Sequence, residues 1–73
     1  MPFTRAQLIT LFTYHTPTPD QVEHYQAIRT AALEFASVVI EHTPTCGDQT
    51  FALRLIRTAQ MTANASIALQ GKF

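Results

Sequence analysis

The chain has few of the residues from which small catalytic and metal-binding domains are built. Its 73 residues include two glycines, one cysteine and no tryptophan. Two glycines exclude a glycine-rich phosphate loop, and Cys46 alone excludes an internal disulfide and a cysteine-based zinc site. The histidines, His15, His24 and His42, lack partners at metal-ligand spacing, and no Ser-His-acid arrangement can be built. We therefore expect no catalytic residue, no metal site and no cofactor.

Charged residues are also scarce. They make up 14% of the chain, with five basic and five acidic side chains. A protein that follows a nucleic acid duplex neutralises many phosphates, so we expect no long nucleic acid partner. No apolar run reaches the roughly 20 residues that span a bilayer, and the N-terminus lacks the features of a secretory signal. We expect an intracellular protein without a membrane partner, in which Cys46 is a reduced thiol.

Apolar residues, by contrast, are plentiful, at 47% of the chain. A domain this short rarely gains more than about 3–5 kcal/mol from its own core. Because disulfides and structural metals are excluded, oligomerisation is the remaining common way to stabilise it. We therefore expect a homo-oligomer.

Capping residues predict where the first two helices begin. Thr4 with Gln7, and Thr18 with Gln21, match the capping box, and Pro19 suits the first helical position. These signals predict a short helix over about residues 4–13 and a long helix from about residue 19.

The end of the long helix and the bounds of the last one follow from similar signals. Thr43 precedes a proline and leaves the helical region, so the long helix is predicted to end near residue 42. Asp48 is the predicted N-cap of a last helix over about residues 48–70, with Gly71 as its stop. The predicted fold is all-α, a single domain over residues 1–73 with a short helix and an antiparallel two-helix hairpin, assembled as a compact homo-oligomer.

Arg29 is a permanent charge on an otherwise apolar stripe of the predicted long helix. The stripe contains Val22, Tyr25, Ile28, Ala32, Phe35, Ala36, Val39 and Ile40. Burying a guanidinium there without a partner costs several kcal/mol. No acidic residue shares the stripe, so we expect the partner to be another chain, a terminal or capping carboxylate, or an anionic ligand.

Tyr14 lies beside the predicted turn between the short and the long helix. Nucleobases stack on aromatic rings with about 1–3 kcal/mol per base, and a guanidinium such as that of Arg29 binds phosphate oxygens in a bidentate fashion. The two residues together would suit a small nucleotide. The alternatives are that Tyr14 fills the crossing between helices and that Arg29 forms a salt bridge between chains.

Three segments in order resemble the helical-hairpin sponges that bacteriophages use against CBASS immunity, with relatives that act against Thoeris. They are Tyr14-His15-Thr16-Pro17, Tyr25 to Ala32, and Ala59 to Ala68, within a similarity that covers roughly residues 12–69. The resemblance implies a compact homohexamer in the cytoplasm of the infected bacterial host. It would bind cyclic oligonucleotide messengers, for example cyclic GMP-AMP, without hydrolysis, so that the host effector is not activated.

The resemblance also implies roles for particular residues. In that family a tyrosine of the Tyr-x-x-Pro segment stacks on a base, and a basic residue of the next helix contacts phosphate in pockets between protomers. These roles fall on Tyr14 and Arg29. A second pocket, for cyclic trinucleotides, has His15, Arg54 and Arg57 as its candidates.

Several alternatives stay open at this point. Arg54 and Arg57 could equally be solvated, or paired with Asp48 or Glu34 across the hairpin. The ligand could be a Thoeris cyclic ADP-ribose signal instead of a CBASS messenger. The chain could also be a purely structural oligomeric hairpin without a ligand.

Overall fold

A computed structural model describes residues 3–72, and this part of the chain is all-helical, as predicted. It contains α1 (Arg5–Phe12), α2 (Pro19–His42) and α3 (Gly47–Ala68), with no strand between residues 3 and 72. The assembly of several copies stays a prediction.

Both predicted capping boxes are present. The Thr4 hydroxyl accepts from the Gln7 N–H at 3.1 Å, and the Gln7 side chain accepts from the Thr4 N–H at 2.8 Å. Thr18 and Gln21 make the same reciprocal pair at 3.2 and 3.0 Å. Two otherwise unpaired N–H groups at each helix start are thereby satisfied. These local interactions explain why α1 and α2 begin where the sequence predicts.

The start of α3 differs from the prediction. Its N-cap is Cys46, whose side chain makes no capping hydrogen bond, so the expectation of Asp48 as N-cap is wrong. The Gln49 amide donates to the Thr43 hydroxyl at 3.1 Å and to its carbonyl at 3.3 Å. These bonds connect the first turn of α3 to Thr43, the C-cap residue of α2. Asp48 instead lies in the first turn, where a negative charge favours the helix dipole.

The end of α3 also lies earlier than predicted. The helix ends at Ala68, and Gln70 and Gly71 both have positive φ, at 56° and 72°. The Gly71 N–H returns to the Ser66 carbonyl at 2.9 Å, which satisfies a terminal acceptor of the helix. Gly71 is therefore the stop signal that the sequence indicates, but the left-handed turn begins one residue before it.

The two long helices form an antiparallel hairpin. A short connection over residues 43–46 joins them, and the Gln21 amide of the first turn of α2 donates to the Ile67 carbonyl near the end of α3 at 3.2 Å. The half-buried residues of α2 are Gln21, Tyr25, Ile28, Ala32, Ala36 and Val39. This spacing of three and four is that of a single helix face. The face is narrower than predicted, because Val22, Phe35 and Ile40 are 39%, 59% and 56% exposed.

Helix α1 packs against neither long helix within residues 3–72. Three of its large apolar side chains are exposed: Leu8 at 40%, Ile9 at 56% and Phe12 at 82%. Among the residues described, only Leu69 is buried. We predict that α1 packs on the hairpin of a neighbouring protomer.

None of the three helices over residues 3–72 combines the length and the hydropathy that a membrane span requires.

Candidate functional site

A cleft of about 510 Å³ lies where the connection between α1 and α2 passes the open end of the hairpin. We call it the tyrosine cleft. Its lining residues are Leu11, Thr13, Tyr14, His15, Pro17, Tyr25, Met61, Asn64, Ala65, Ala68 and Leu69. Most of this lining is apolar, and the few polar groups come from the connection and from the facing sides of α2 and α3. Such a lining suits a flat apolar group with a polar edge.

Tyr14 is one of the residues that line this cleft. The side chain is 81% exposed, and its hydroxyl has no hydrogen bond within the described part of the chain. The ring therefore does not fill the crossing between α1 and α2, which was the structural alternative for this residue. Both the aromatic face and the hydroxyl are available for contact with another molecule.

His15 lies beside Tyr14 and holds the connection in place. Its Nε2 is 2.8 Å from the Thr10 carbonyl, and since that oxygen can only accept, Nε2 carries the proton. The bond joins the connection to the last turns of α1. The predicted trinucleotide role of His15 is untested, but its observed position is in the tyrosine cleft.

The lining of the cleft also includes two residues that sequence reasoning did not single out as ligand contacts, Tyr25 and Asn64. Both are half-buried. The Asn64 Oδ1 is shielded from solvent and has no hydrogen-bond partner. One signal could have indicated Asn64: it is the sole asparagine of the chain and lies inside a helix, where this residue type is disfavoured.

Arg29 is exposed in the chain, which corrects the expectation of a guanidinium buried on an apolar stripe. The reason is helical geometry. Ile28 lies on the face that packs against α3, and the next position is rotated about 100° away from it. No carboxylate within residues 3–72 pairs with Arg29. Of the partners that the sequence left open, a capping carboxylate among residues 3–72 is thereby excluded.

A groove of about 410 Å³ between α2 and α3 contains Arg29. We call it the arginine groove. Its lining residues are Arg29, Ala32, Leu33, Ala36, Leu53, Ile56, Arg57 and Gln60. Two arginines thus line one groove, and most of its other lining residues are apolar. Because like charges repel, this arrangement favours binding of an anion between them.

Arg57 also lines an adjoining concavity of about 370 Å³ with Arg54, Thr58 and Met61. Neither arginine pairs with Asp48 or Glu34 in the described chain, so the alternative of salt bridges across the hairpin is not realised there. Three of the five basic side chains therefore lie at two connected concavities. The surface is locally positive although the chain is formally neutral.

The predicted site residues fall into two groups in the single chain. Tyr14 and His15 share the tyrosine cleft, whereas Arg29, Arg54 and Arg57 lie at the arginine groove and the concavity next to it. Tyr14 and Arg29 are not brought together, and His15 is not brought to Arg54 and Arg57. Met61 borders both the tyrosine cleft and the Arg54–Arg57 concavity, so the two groups lie on neighbouring surfaces.

No three His, Cys, Asp or Glu side chains between residues 3 and 72 are grouped so that they could hold a metal ion.

Comparison with models of known protein families assigns the chain to a family. Residues 5–68 match the family model described as "Acb2/Tad1, hairpin domain". The match begins at the first residue of α1 and ends at the last residue of α3. The chain belongs to this family. The predicted relationship to the anti-CBASS and anti-Thoeris sponges is thereby confirmed. Searches of curated proteins and of solved structures gave no match.

Proposed function

We propose that the protein sequesters cyclic di- and trinucleotide messengers of CBASS immunity, such as cyclic GMP-AMP, without hydrolysis. Bound messenger is removed from the free pool, and the host effector is not activated. The family membership supports a sponge role, and the exposed ring of Tyr14 in an apolar cleft is the observation that carries the choice of a nucleotide ligand.

Base stacking on Tyr14 is the first interaction of the proposed site. The ring is 81% exposed and borders a cleft large enough for a base. Stacking on an aromatic side chain contributes about 1–3 kcal/mol per base and tolerates different bases. This contribution explains how one cleft would accept several messengers.

Phosphate binding by Arg29 is the second interaction. The guanidinium has no carboxylate partner among residues 3–72, so it is available to form charge-assisted bonds with phosphate oxygens. Since Arg29 and Tyr14 line separate surfaces of one chain, we propose that a second protomer brings its Arg29 to the tyrosine cleft of the first. A cyclic dinucleotide carries two bases and two phosphates related by approximate two-fold symmetry. A symmetric protomer pair would meet it with two copies of each side chain.

Arg54 and Arg57 form the proposed phosphate contacts of a second, trinucleotide site. Both are exposed, unpaired within the described chain and next to each other on α3. His15 would have to come from another protomer to join them, because in its own chain it lines the tyrosine cleft. A homohexamer would supply such neighbours.

Binding of the messenger without hydrolysis is sufficient to keep it from the host effector. A cyclic ligand is already ring-closed and loses little internal freedom on binding, so a preorganised pocket can hold it tightly. Sequestration works when sites are at least as numerous as messenger molecules. We place this activity in the cytoplasm of the infected host, where the messengers are made.

Titration calorimetry of the purified chain against a ligand panel tests the proposal. The panel contains cyclic GMP-AMP, cyclic di-AMP, cyclic tri-AMP and cyclic ADP-ribose, with linear GMP-AMP as control, and sedimentation gives the mass of the assembly. We expect saturable binding of a cyclic dinucleotide, and trinucleotide binding that excess dinucleotide does not displace. Saturation by cyclic ADP-ribose alone would indicate the Thoeris variant. Absence of heat with every ligand would indicate a structural hairpin.

The fate of the ligand separates a sponge from an enzyme. After incubation, the protein is denatured and the released nucleotide is analysed by chromatography. A sponge returns the cyclic ligand intact and in stoichiometric amount. Linear or shortened products would contradict the proposal.

A further inference from the structure

The side chain of Asn64 is not explained by the fold. It lies inside α3 between Ala63 and Ala65, where alanine is a better helix former than asparagine. Its Oδ1 is shielded from solvent and has no hydrogen-bond partner. An amide oxygen left in this state destabilises the folded chain. Both observations indicate that Asn64 meets a group from outside the single chain.

The tyrosine cleft is the open space beside this side chain. Asn64 lines it together with Tyr14 and with apolar side chains such as Pro17 and Met61. A flat ring stacked on Tyr14 would have its second face free to contact the apolar lining. We propose that one edge of the ring is directed toward the α3 residues of the lining, among them Asn64. To meet that edge, the Asn64 amide would have to rotate about its side-chain torsions, because its oxygen is shielded in the unliganded chain.

An amide has the hydrogen-bonding pattern of a nucleobase edge. It offers an acceptor and a donor side by side in one plane. Adenine presents an amino N–H beside N1 or N7, and guanine presents N1–H beside O6, so each offers the complementary donor and acceptor. A purely hydrocarbon aromatic ring would stack on Tyr14 without offering this pair.

We infer that Asn64 pairs with the donor–acceptor edge of the base stacked on Tyr14, and that the tyrosine cleft thereby selects a nucleobase over any flat ring. This inference rests on the proposed function. It assigns stacking to one wall of the cleft and recognition of the base edge to the other. The binding energy from stacking is then sequence-tolerant, and the selectivity comes from α3.

A combined change of protein and ligand tests the pairing. Wild-type protein and Asn64→Leu are titrated with the cyclic dinucleotide that binds tightest and with its analogue in which unsubstituted purine, which lacks the edge N–H, replaces adenine or guanine. We expect either change alone to weaken binding about ten-fold, and both together to weaken it little further, because the same hydrogen bonds are lost. Gln26→Leu, which replaces an exposed amide that lines neither the tyrosine cleft nor the arginine groove, is the matched control.

A spectroscopic readout does not depend on the variant folding. Because the chain has one asparagine, selective ¹⁵N-asparagine labelling of the wild-type protein gives a single side-chain amide to observe. We expect its two proton resonances to shift and separate on saturation with the dinucleotide, and to shift less with the analogue. Equal shifts with both ligands would overturn the inference.

Failure of the proposed function and failure of the Asn64 pairing give different experimental results. If no cyclic nucleotide binds the wild-type protein, the proposed function itself is wrong. If the dinucleotide binds and Asn64→Leu binds it equally well, the sponge role stands and the pairing is wrong. If Asn64→Leu lowers the mass of the assembly instead of the affinity, the partner of Asn64 is another protomer and the inference is likewise overturned.

Discussion

The Gln21 side chain joins the two ends of the hairpin. Its oxygen accepts from the Thr18 N–H at 3.0 Å, while its nitrogen donates to the Ile67 carbonyl at 3.2 Å. One residue thus completes the capping box of α2 and ties it to the last turn of α3. Ala68 and Leu69, which come directly after Ile67 in the chain, line the tyrosine cleft. The bond therefore helps to position the wall of the proposed site.

Replacement of Gln21 tests this structural role. Gln21→Leu removes the capping acceptor and the bond to Ile67, and we expect it to lower the free energy of unfolding by about 1–2 kcal/mol. Urea denaturation at one fixed protein concentration measures the change, since oligomer stability depends on concentration. The control Gln26→Leu should change it by less than about 0.5 kcal/mol. Equal effects of the two variants would show that the bond to Ile67 contributes nothing.

Stacking on Tyr14 is tested by two substitutions. Tyr14→Ala should weaken binding of a cyclic dinucleotide by roughly ten- to hundred-fold, because the face that carries the base is lost. Tyr14→Phe keeps that face and should stay within a few-fold of the wild type. Calorimetry measures both. Equal losses in the two variants would assign the contribution to a hydrogen bond of the hydroxyl.

The phosphate role of Arg29 is tested separately from assembly. Arg29→Ala should abolish detectable dinucleotide binding, and Arg29→Lys should retain part of it, since an ammonium lacks the bidentate fork. Sedimentation of both variants should match the wild type. Arg5→Ala removes the same charge from α1, outside the tyrosine cleft and the arginine groove, and should bind normally. Dissociation of the Arg29→Ala assembly would instead identify Arg29 as a contact between subunits.

The uncovered helix α1 is the basis of a prediction about self-association. Phe12 is 82% exposed, and within residues 3–72 α1 does not pack along α2 or α3. We expect Phe12→Ser to lower the average mass in sedimentation, because an apolar contact with a neighbouring protomer is lost. A polar-to-polar change on the exposed side of α2, Thr30→Ser, serves as the control. An unchanged mass for Phe12→Ser would place α1 outside the interface.

Local signals in the sequence were sufficient for much of the fold. Capping boxes, Pro19 and the residue before Pro44 act within one turn of a helix, so α1 and α2 have the predicted bounds to within a residue or so. The start of α3 lies within one residue of the prediction, but its N-cap is Cys46 instead of Asp48, and Gln49 bonds back to Thr43 across the connection. No pattern within α3 itself reports that contact.

The sequence by itself determined the helices, the scarcity of catalytic groups and the family, because these depend on residue type and short-range order. Only the tertiary structure decided which side chains meet. The register of α2 on α3 leaves Arg29 exposed, places Tyr14 and Arg29 on separate surfaces, and brings Asn64 to the cleft that contains Tyr14. The physical reason is that a rotation of one helix by a single residue moves every side chain by about 100°, and packing, not propensity, selects among those rotations.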